Sequence, residues 1–560
     1  MSAYILQRLK GAWDLFRQGK LAEAEQIVIK LLKSQPDHCD ANNLMAGIQL
    51  YMNHVARAVV HAQRAVGSSP TNVAARQTLV SVLTAAGERR EALRQIGTLL
   101  EMGAGDAELA ITHAGTLRDL WRYDESVKLY DEAIRTYPAN QLLPCLLPFT
   151  MQYAPHATRE GIFAAHAAFG NSLDRRIPPV SRKHRNSADP ERTLRIGIMS
   201  ADLCAHSVMF FFASILDHAD PAKMRFTAYQ THNLVSDAMT ARLRSRFSGW
   251  REIMNDPPGR AAERVLADEI DVLVELNGLT TTLKALEVMN HAPAPVTVTY
   301  CGYPDTTGVR SVQYRIVDSI TDPPGAEAFA VEELVRLDPC FLCYTPLSGA
   351  PPENPEPPCV RNGFVTFGSF NNIQKMHPGI AEAWSRLVLA VPGSKLLLKD
   401  SRLREPSRRQ ELQEMFERAG LARERLEFLE RTEDSVEHLR LYDGLDVALD
   451  PFPYNGTTTI CEATHQGVPT VTLRGDRHAA RVGASLLTAI GEPGLIADDV
   501  PSYIALAAGL GKDPARLAAY RAGLRRRLLA SPLCDGPGFA RRFEDAIRVM
   551  WRRWCATRRD

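Results

Sequence analysis

Residues 447–473 read VALDPFPYNGTTTICEATHQGVPTVTL, and the order of residue types dictates a strand, a turn, a helix and a second strand. The run at 447–449 is short and apolar. Two prolines and a glycine between 450 and 456 break regular structure, residues 457–466 take helical spacing, and 470–473 is again β-prone. A strand–helix–strand unit of this kind belongs in a parallel sheet. Gly456 opens the turn, and Thr458 and Thr459 fall in the first turn of the helix. There, free backbone N–H groups and the positive end of the helix dipole can seat a diphosphate. Glu462, one turn further on, is placed to accept hydrogen bonds from ribose hydroxyls. Against this stands the plainer reading that threonines at a helix start are ordinary caps.

The same alternation extends outward on both sides. Strands are predicted at 364–367, 395–398 and 425–428, with helices near 379–391, 405–419, 457–466 and 479–490. Upstream, strands are predicted at 194–199, 226–229, 270–275 and 296–300, with helices at 259–268 and 280–289. The stretch 346–358 (PLSGAPPENPEPP) reads as an extended linker. This gives a first lobe at 191–345, a proline-rich linker at 346–361 and a second lobe at 362–560. Two doubly wound sheets place a ligand in the cleft between them, at the carboxyl ends of their strands.

Three further loops follow predicted strands, and so reach the same edge. Gly368 to Pro378 (GSFNNIQKMHP) carries Lys375, a point charge able to neutralise a departing diphosphate; the alternative is a solvated lysine. Ser200 to His206 carries a histidine able to act as general base towards an acceptor hydroxyl. With 15 histidines in the chain, location rather than residue type singles out His206. Cys301 to Gly308 (CGYPDTTG) is expected to shape a sugar pocket through Gly302, Tyr303, Pro304 and Thr307, or else to be an ordinary loop. There is no P-loop, no G-x-G-x-x-G opening a helix and no H-E-x-x-H, which argues against ATP, NAD and zinc-protease chemistry.

The first quarter of the chain repeats with a period of 34 residues. Pro36 and Pro70 are one step apart and Pro138 lies two further steps on. Ala24, Ala58, Ala92 and Ser126 share the step, as do Ala12, Ala46, Val80 and Ala114. Turn positions Gly19, Asn53 and Gly87 follow it too, with Trp121 as the exception. Small residues let two antiparallel helices approach closely, and proline or glycine stops the second. This pattern resembles the tetratricopeptide repeat, about four copies over 1–140, stacked into a superhelix whose groove presents a peptide or simply supports the rest. A helical connector at 141–190 is expected to cap the array.

Composition agrees with a globular chain of several domains. The 560 residues carry 66 Lys+Arg against 65 Asp+Glu, and 45% are hydrophobic. A net charge of +1 removes the electrostatic case for a nucleic-acid partner. The longest uncharged stretch, 137–158, is interrupted by prolines, so no membrane span is expected. The N-terminus lacks the apolar core of a signal peptide, and ten scattered cysteines fit a reducing cytoplasm. The one C-x-x-C, at 340–343, reads as structural and lies in a strand-like run. The basic C-terminus (Arg541, Arg542, Arg548, Arg552, Arg553, Arg558, Arg559) alternates with Phe543, Val549, Met550 and Trp554, as in an amphipathic helix with a solvated basic face.

Taken together, RIGIMSADLCAH, VLVELNGLT, GYPDTTG, SFNNIQKMHP, YNGTTTICEATHQGVPTVTL, HAARVGASLL and the closing SPLCDGPGFARRFEDAIRVMW resemble the O-linked N-acetylglucosamine transferase family along essentially the whole chain. The resemblance implies an all-α repeat superhelix followed by a GT-B glycosyltransferase of two Rossmann-like lobes. It implies an inverting, metal-independent transfer of N-acetylglucosamine from UDP-GlcNAc to Ser or Thr hydroxyls of proteins. No cofactor is expected, because the UDP-sugar is a co-substrate. It carries His206 over as base, Lys375 and Thr458–Thr459 onto the diphosphate, and His438 onto the nucleoside. Asn372 stands where the family has a glutamine at the donor, and Glu462 where it has an aspartate on the ribose. Departures from the animal enzymes are Leu266 and Thr457 in place of histidines, Ser435 in place of a lysine at the nucleoside, and a linker in place of their large insertion. The chain thus looks like a compact bacterial member, cytoplasmic, with a protein or peptide acceptor in the repeat groove and pairing of two copies left open. UDP-glucose or GDP-fucose as donor, or a catalytically weak repeat scaffold, stand as alternatives.

Overall fold

The computed structural model describes residues 2–232, 236–432 and 434–558. They form two compact units, one of residues 1–143 with 404–412, the other of 144–403 with 413–560.

The first unit contains four antiparallel helix pairs, Ser2–Arg17 with Leu21–Ser34, Cys39–Tyr51 with Val55–Ser68, Val73–Ala85 with Arg89–Glu101, and Ala107–Asp119 with Tyr123–Thr136. The small residues of the 34-residue step are the points of closest approach: Ala24, Ala58, Ala92 and Ser126 have no exposed surface. Ser126 turns its polarity inward, its hydroxyl donating to the Ala114 carbonyl at 2.7 Å. The turns at Gly19, Asn53 and Gly87 are left-handed, and Trp121 adopts the same conformation (φ 59°) without being glycine. Its ring is buried beneath the Arg408 guanidinium, 4.5 Å away. Arg408 belongs to the segment 404–412, where Glu405 also pairs with Arg89 at 2.8 Å. This segment of the predicted second lobe therefore packs within the repeat unit.

The second unit holds two parallel sheets. The first uses β1 (Leu194–Ser200), β2 (Met224–Gln230), β3 (Gly249–Glu252), β4 (Val272–Glu275), β5 (Val296–Thr299), β6 (Tyr314–Val317) and β7 (Glu333–Arg336), in the order β3-β2-β1-β4-β5-β6-β7. The second uses β8 (Thr366–Ser369), β9 (Lys395–Lys399), β10 (Leu426–Leu429), β11 (Val447–Leu449), β12 (Thr470–Leu473) and β13 (Ile496–Ala497), in the order β10-β9-β8-β11-β12-β13. Both orders reverse direction once, between β1 and β4 and between β8 and β11, where doubly wound sheets open their ligand crevices. The strands read from sequence are those at and around the centre of each sheet, together with β10 at an edge of the second. Those missed, β3, β6, β7 and β13, are short and lie at or towards an edge of a sheet, and β3 and β7 carry charges.

Three expectations need correction. Helices Leu143–Met151 and Arg159–Arg176 do not simply cap the repeats: Cys145, Phe169 and Leu173 share a core with Met199, Ile270 and Leu286 of the first lobe. A Cβ on Gly170 would lie 1.6 Å from the Gly308 carbonyl oxygen, so the helix crosses the turn after β5 at backbone contact. The last helix, Gly536–Ala556, follows the second lobe in sequence but packs on the first, against helix Ser207–His218 and β5, with the Phe543 ring 6.0 Å from Tyr300. Its basic face is solvated as expected, with Arg541, Arg552, Arg553 and Arg558 exposed; Arg552 and Arg553 also pair with Glu191 and Glu333, and half-buried Arg548 donates to the Pro190 and Arg192 carbonyls. Val549 is exposed rather than packed, and Arg559 lies outside the described residues. Lastly, 340–343 is not a strand. Cys340 and Cys343 are buried, with Ser485 and Ser214 as separate partners. No described helix is long and apolar enough to cross a membrane.

Candidate active site

The loops leaving the two switch points, and the strands beside them, line a pair of adjoining cavities of about 470 and 450 Å³, with His206, Ser207 and Asn372 on the walls of both.

The smaller cavity is built on Asp450 at the end of β11. Its carboxylate accepts from the Gly456 N–H (2.5 Å) and the Thr472 hydroxyl (2.6 Å), and the Tyr503 hydroxyl donates to its carbonyl (3.1 Å). These bonds fold the chain at 451–456 back on itself. A Cβ on Gly456 would lie 2.3 Å from the Thr459 hydroxyl and 2.8 Å from Asn371 Oδ1, so no larger residue fits. Helix Thr458–His465 then starts at the cavity wall. Thr457 precedes it with its side chain making no cap hydrogen bond, and Thr459 turns its hydroxyl to Asn371 Oδ1 (3.1 Å). The threonines are thus not caps, and the first N–H groups of the helix are left for a ligand. Lys375 meets this point from the loop after β8. Its ammonium donates to the Asn455 carbonyl (2.7 Å) and to Asn371 Oδ1 (3.2 Å), and lies 4.7 Å from the Tyr454 ring centre. Burial pulls the Lys375 amine below its ordinary pKa and pushes the Asp450 carboxyl above its own, while each charge opposes the other's shift.

The larger cavity holds a chain of polar groups. His438 presents Nε2 to Glu462 (3.0 Å) and Nδ1 to the Lys399 ammonium (2.6 Å), and the Tyr442 hydroxyl donates to the same Glu462 oxygen (3.2 Å). Lys399 has only donors, so Nδ1 must accept, and the neutral ring carries its proton on Nε2 towards Glu462. Burial pushes the Lys399 amine down to about 8. A ligand's negative charge would hold that proton on, so affinity for an anion here should be full below pH 8 and fall as pH rises through it. With UDP as the test anion, Lys399→Met should weaken binding about 10- to 100-fold, the worth of one hydrogen bond to a charged group, and abolish that pH dependence. Calorimetric titrations at pH 7 and 9 check both.

On the first lobe, buried Glu275 at the end of β4 accepts from the Asn277 (2.9 Å) and Gly278 (2.8 Å) N–H groups. Asn277 in turn holds Asp202 (2.5 Å), whose carboxylate lies 3.7 Å from His206 Nδ1. His206 also begins helix Ser207–His218, its Nδ1 accepting the Val208 N–H at 3.4 Å. Gly302 lies against the β4 loop so closely that a Cβ would meet the Leu276 carbonyl at 1.7 Å.

Residues 118–343 and 359–543 match glycosyl transferase family 41. The chain belongs to that family. Among curated proteins, the probable UDP-N-acetylglucosamine–peptide N-acetylglucosaminyltransferase SPINDLY of Arabidopsis thaliana is 41% identical over 409 residues, 72% of this chain and 44% of that protein. The protein of the same name from Solanum lycopersicum is 40% identical over 72% of this chain and 44% of its own length. The chain therefore spans less than half the length of these relatives. Among solved structures, a mutant of the Thermobaculum terrenum O-GlcNAc transferase superposes with a TM-score of 0.80 at 28% identity, covering 99% of each chain.

Within this family 41 chain, His206, Lys375, Asn372, Thr458, Thr459, Gly302 and Pro304 line the smaller cavity, and His438 and Glu462 the larger. Gly456 lies beneath the threonine turn. Asn372 is held by Arg402 (2.8 Å) and itself caps a short turn. Two expected residues turn away. The Tyr303 hydroxyl is buried against His166 Nε2 (2.7 Å), because helix Arg159–Arg176 covers that side of the turn. Thr307 is enclosed with Thr306 around the Glu332 carboxylate, its N–H donating at 2.7 Å. Lys399, Asp450 and His478 were not read from sequence. Asp450 ends a predicted strand just ahead of a glycine turn, a position that could have flagged it, whereas Lys399 in KLLLK gives no sign of its partner.

Proposed function

We propose that this chain is an inverting, metal-independent glycosyltransferase moving N-acetylglucosamine from UDP-GlcNAc to Ser and Thr hydroxyls of proteins. The observation that carries the reading is the meeting of Lys375 with the uncapped helix start at Thr458–Thr459 on one cavity wall. Two of the three Lys375 donors are used by protein oxygens, leaving the third for a phosphate. In this reading the nucleoside occupies the larger cavity beside Phe370 and His438, with Glu462 on the ribose. The sugar lies between Gly302–Pro304 and Asn372, within reach of His206. The acceptor oxygen attacks C1 from the face opposite the diphosphate, the C1–O bond breaks, and its electron pair leaves with UDP. Positive charge fixed in place before the reaction stabilises the charge that develops on the diphosphate.

The names of the relatives support the donor and the acceptor class. The repeat unit supports a peptide partner. Its cavity of about 360 Å³ is lined by Asn43, Gln77 and Asp106, and buried Asn43 has an amide oxygen without a hydrogen-bond partner, suited to a peptide N–H. The end-to-end match to the Thermobaculum terrenum enzyme and the short linker support a compact bacterial type.

The test is transfer to lysate proteins from UDP-GlcNAc, UDP-glucose and GDP-fucose in parallel, read by mass spectrometry with and without EDTA. Modified Ser or Thr is expected with UDP-GlcNAc, undiminished by EDTA. Transfer from one of the other donors alone would overturn the choice of donor, and transfer from none the activity.

A further inference from the structure

Two imidazoles line the smaller cavity, and their hydrogen bonds leave them with opposite capabilities. His206 uses Nδ1 to accept the Val208 N–H, so in its neutral form the proton sits on Nε2 and the ring offers the cavity a donor. His478 is held the other way round. It lies in the turn after β12, nearly fully buried, with Nδ1 2.5 Å from Asp322 Oδ2. Asp322, from the loop after β6 of the first lobe, is itself braced by Arg315 at 3.5 Å. Burial pushes the Asp322 carboxyl up, but Arg315 and His478 more than offset this and hold it well below the usual carboxylate range. It therefore stays a carboxylate that can only accept, the proton of His478 sits on Nδ1, and Nε2 keeps its lone pair. No described residue hydrogen-bonds that nitrogen, and the ring packs edge-on against Phe341, 5.0 Å between centres.

The turn that carries His478 is also tied to the charge-neutralising lysine. The Ala479 carbonyl accepts the Asn455 N–H (2.9 Å), and the Asn455 carbonyl accepts the Lys375 ammonium. An imidazole oriented by a buried carboxylate, with its free lone pair on a cavity wall, is the arrangement general bases use.

We propose that His478, oriented by Asp322, is the base that takes the proton from the acceptor hydroxyl. The inference rests on the transferase reading above and deepens it. As the acceptor oxygen bonds to C1, its proton moves to His478 Nε2. The bond from C1 to the diphosphate oxygen breaks with its electron pair going to UDP, and the imidazolium that forms is stabilised by Asp322 and later returns its proton to water. His206 then serves as a donor to donor or acceptor oxygens. The other charged groups around the pair are Arg481, from the turn that follows His478, and Asp318, from the end of β6.

The experiment compares wild type, His478→Gln, Asp322→Asn and His206→Gln for turnover with UDP-GlcNAc, UDP affinity and the pH profile of kcat/KM. His478→Gln should lower kcat by about 100- to 10,000-fold and remove the rising limb of the profile, with UDP affinity held within about threefold. Asp322→Asn should act in the same direction, because an amide donor at Nδ1 forces the proton onto Nε2. Turnover in His478→Gln within about tenfold of wild type would overturn the assignment. So would a fall in UDP affinity matching the fall in turnover in both variants, which would make the pair a latch between lobes. Absence of transfer by wild type from every donor would instead overturn the transferase reading, and this proposal with it.

Discussion

Replacing Lys375 by alanine is expected to lower turnover of UDP-GlcNAc by about 100- to 1,000-fold, the usual worth of one preorganised group aimed at developing charge. Lys375 brings a fixed positive charge to the wall where the helix start also points, and among the described residues no other lysine or arginine lines it. Its neighbours cannot substitute, since Asn371 and Asn455 present oxygens there and Asp450 is an anion behind them. The fold should survive. Lys375 stands on a cavity wall, the Asn455 carbonyl and Asn371 amide can take water in its place, and enclosure of its amine already disfavours the ammonium. Steady-state rates for the variant, with a thermal melt beside them, read both halves of the prediction. Turnover within about threefold of wild type would remove Lys375 from the chemistry.

Gly456→Ala is expected to be nearly as damaging, for a steric reason. The new methyl would lie 2.3 Å from the Thr459 hydroxyl, 2.8 Å from Asn371 Oδ1 and 3.0 Å from Asp450 Oδ1. Thr459 could rotate away only by losing Asn371, and Asp450 is fixed by the Gly456 N–H and the Thr472 hydroxyl. The turn must therefore shift, carrying the helix start with it, and a displacement of about 1 Å at a binding wall can cost about 100-fold. Overpacking of this kind also costs about 1–3 kcal/mol of stability. Gly444→Ala is the matched control. It has nothing within 4 Å of its added methyl, and both its melting temperature and its UDP affinity should stay near wild type. If Gly456→Ala binds UDP as wild type does, the turn is not the rigid seat described above.

Much of this site was legible because its residues follow strands. In a doubly wound sheet the loop after a strand is at the ligand edge wherever the strand sits, so SFNNIQK after FVTF and YNGTTT after VALD could be placed without knowing the strand order. The 34-residue step was legible for a similar reason, since a repeated packing problem selects the same small residues each time. What depended on pairing between distant segments was not legible. Lys399 ends an apolar strand and becomes a partner of His438 only because β9 lies beside β8 in the sheet and helix Ser435–Arg440 passes over it. Asp322 and His478 come from different lobes, and neither stretch marks the other. Tyr303 and Thr307 were misplaced because a motif gives the turn but not which side chains face outward. There, helix Arg159–Arg176 and Glu332 decide. Trp121 departed from the residue rule of its turn while keeping the backbone rule, held by contact with Arg408.

The central claim is that Lys375 and the open helix start form a seat for the diphosphate of a nucleotide sugar. Calorimetric titration of wild type with UDP and with uridine tests it most directly. The account predicts one UDP site that binds at least about 100-fold more tightly than uridine, as two or more hydrogen bonds to charged phosphate oxygens should give. Equal affinity for UDP and uridine would contradict it.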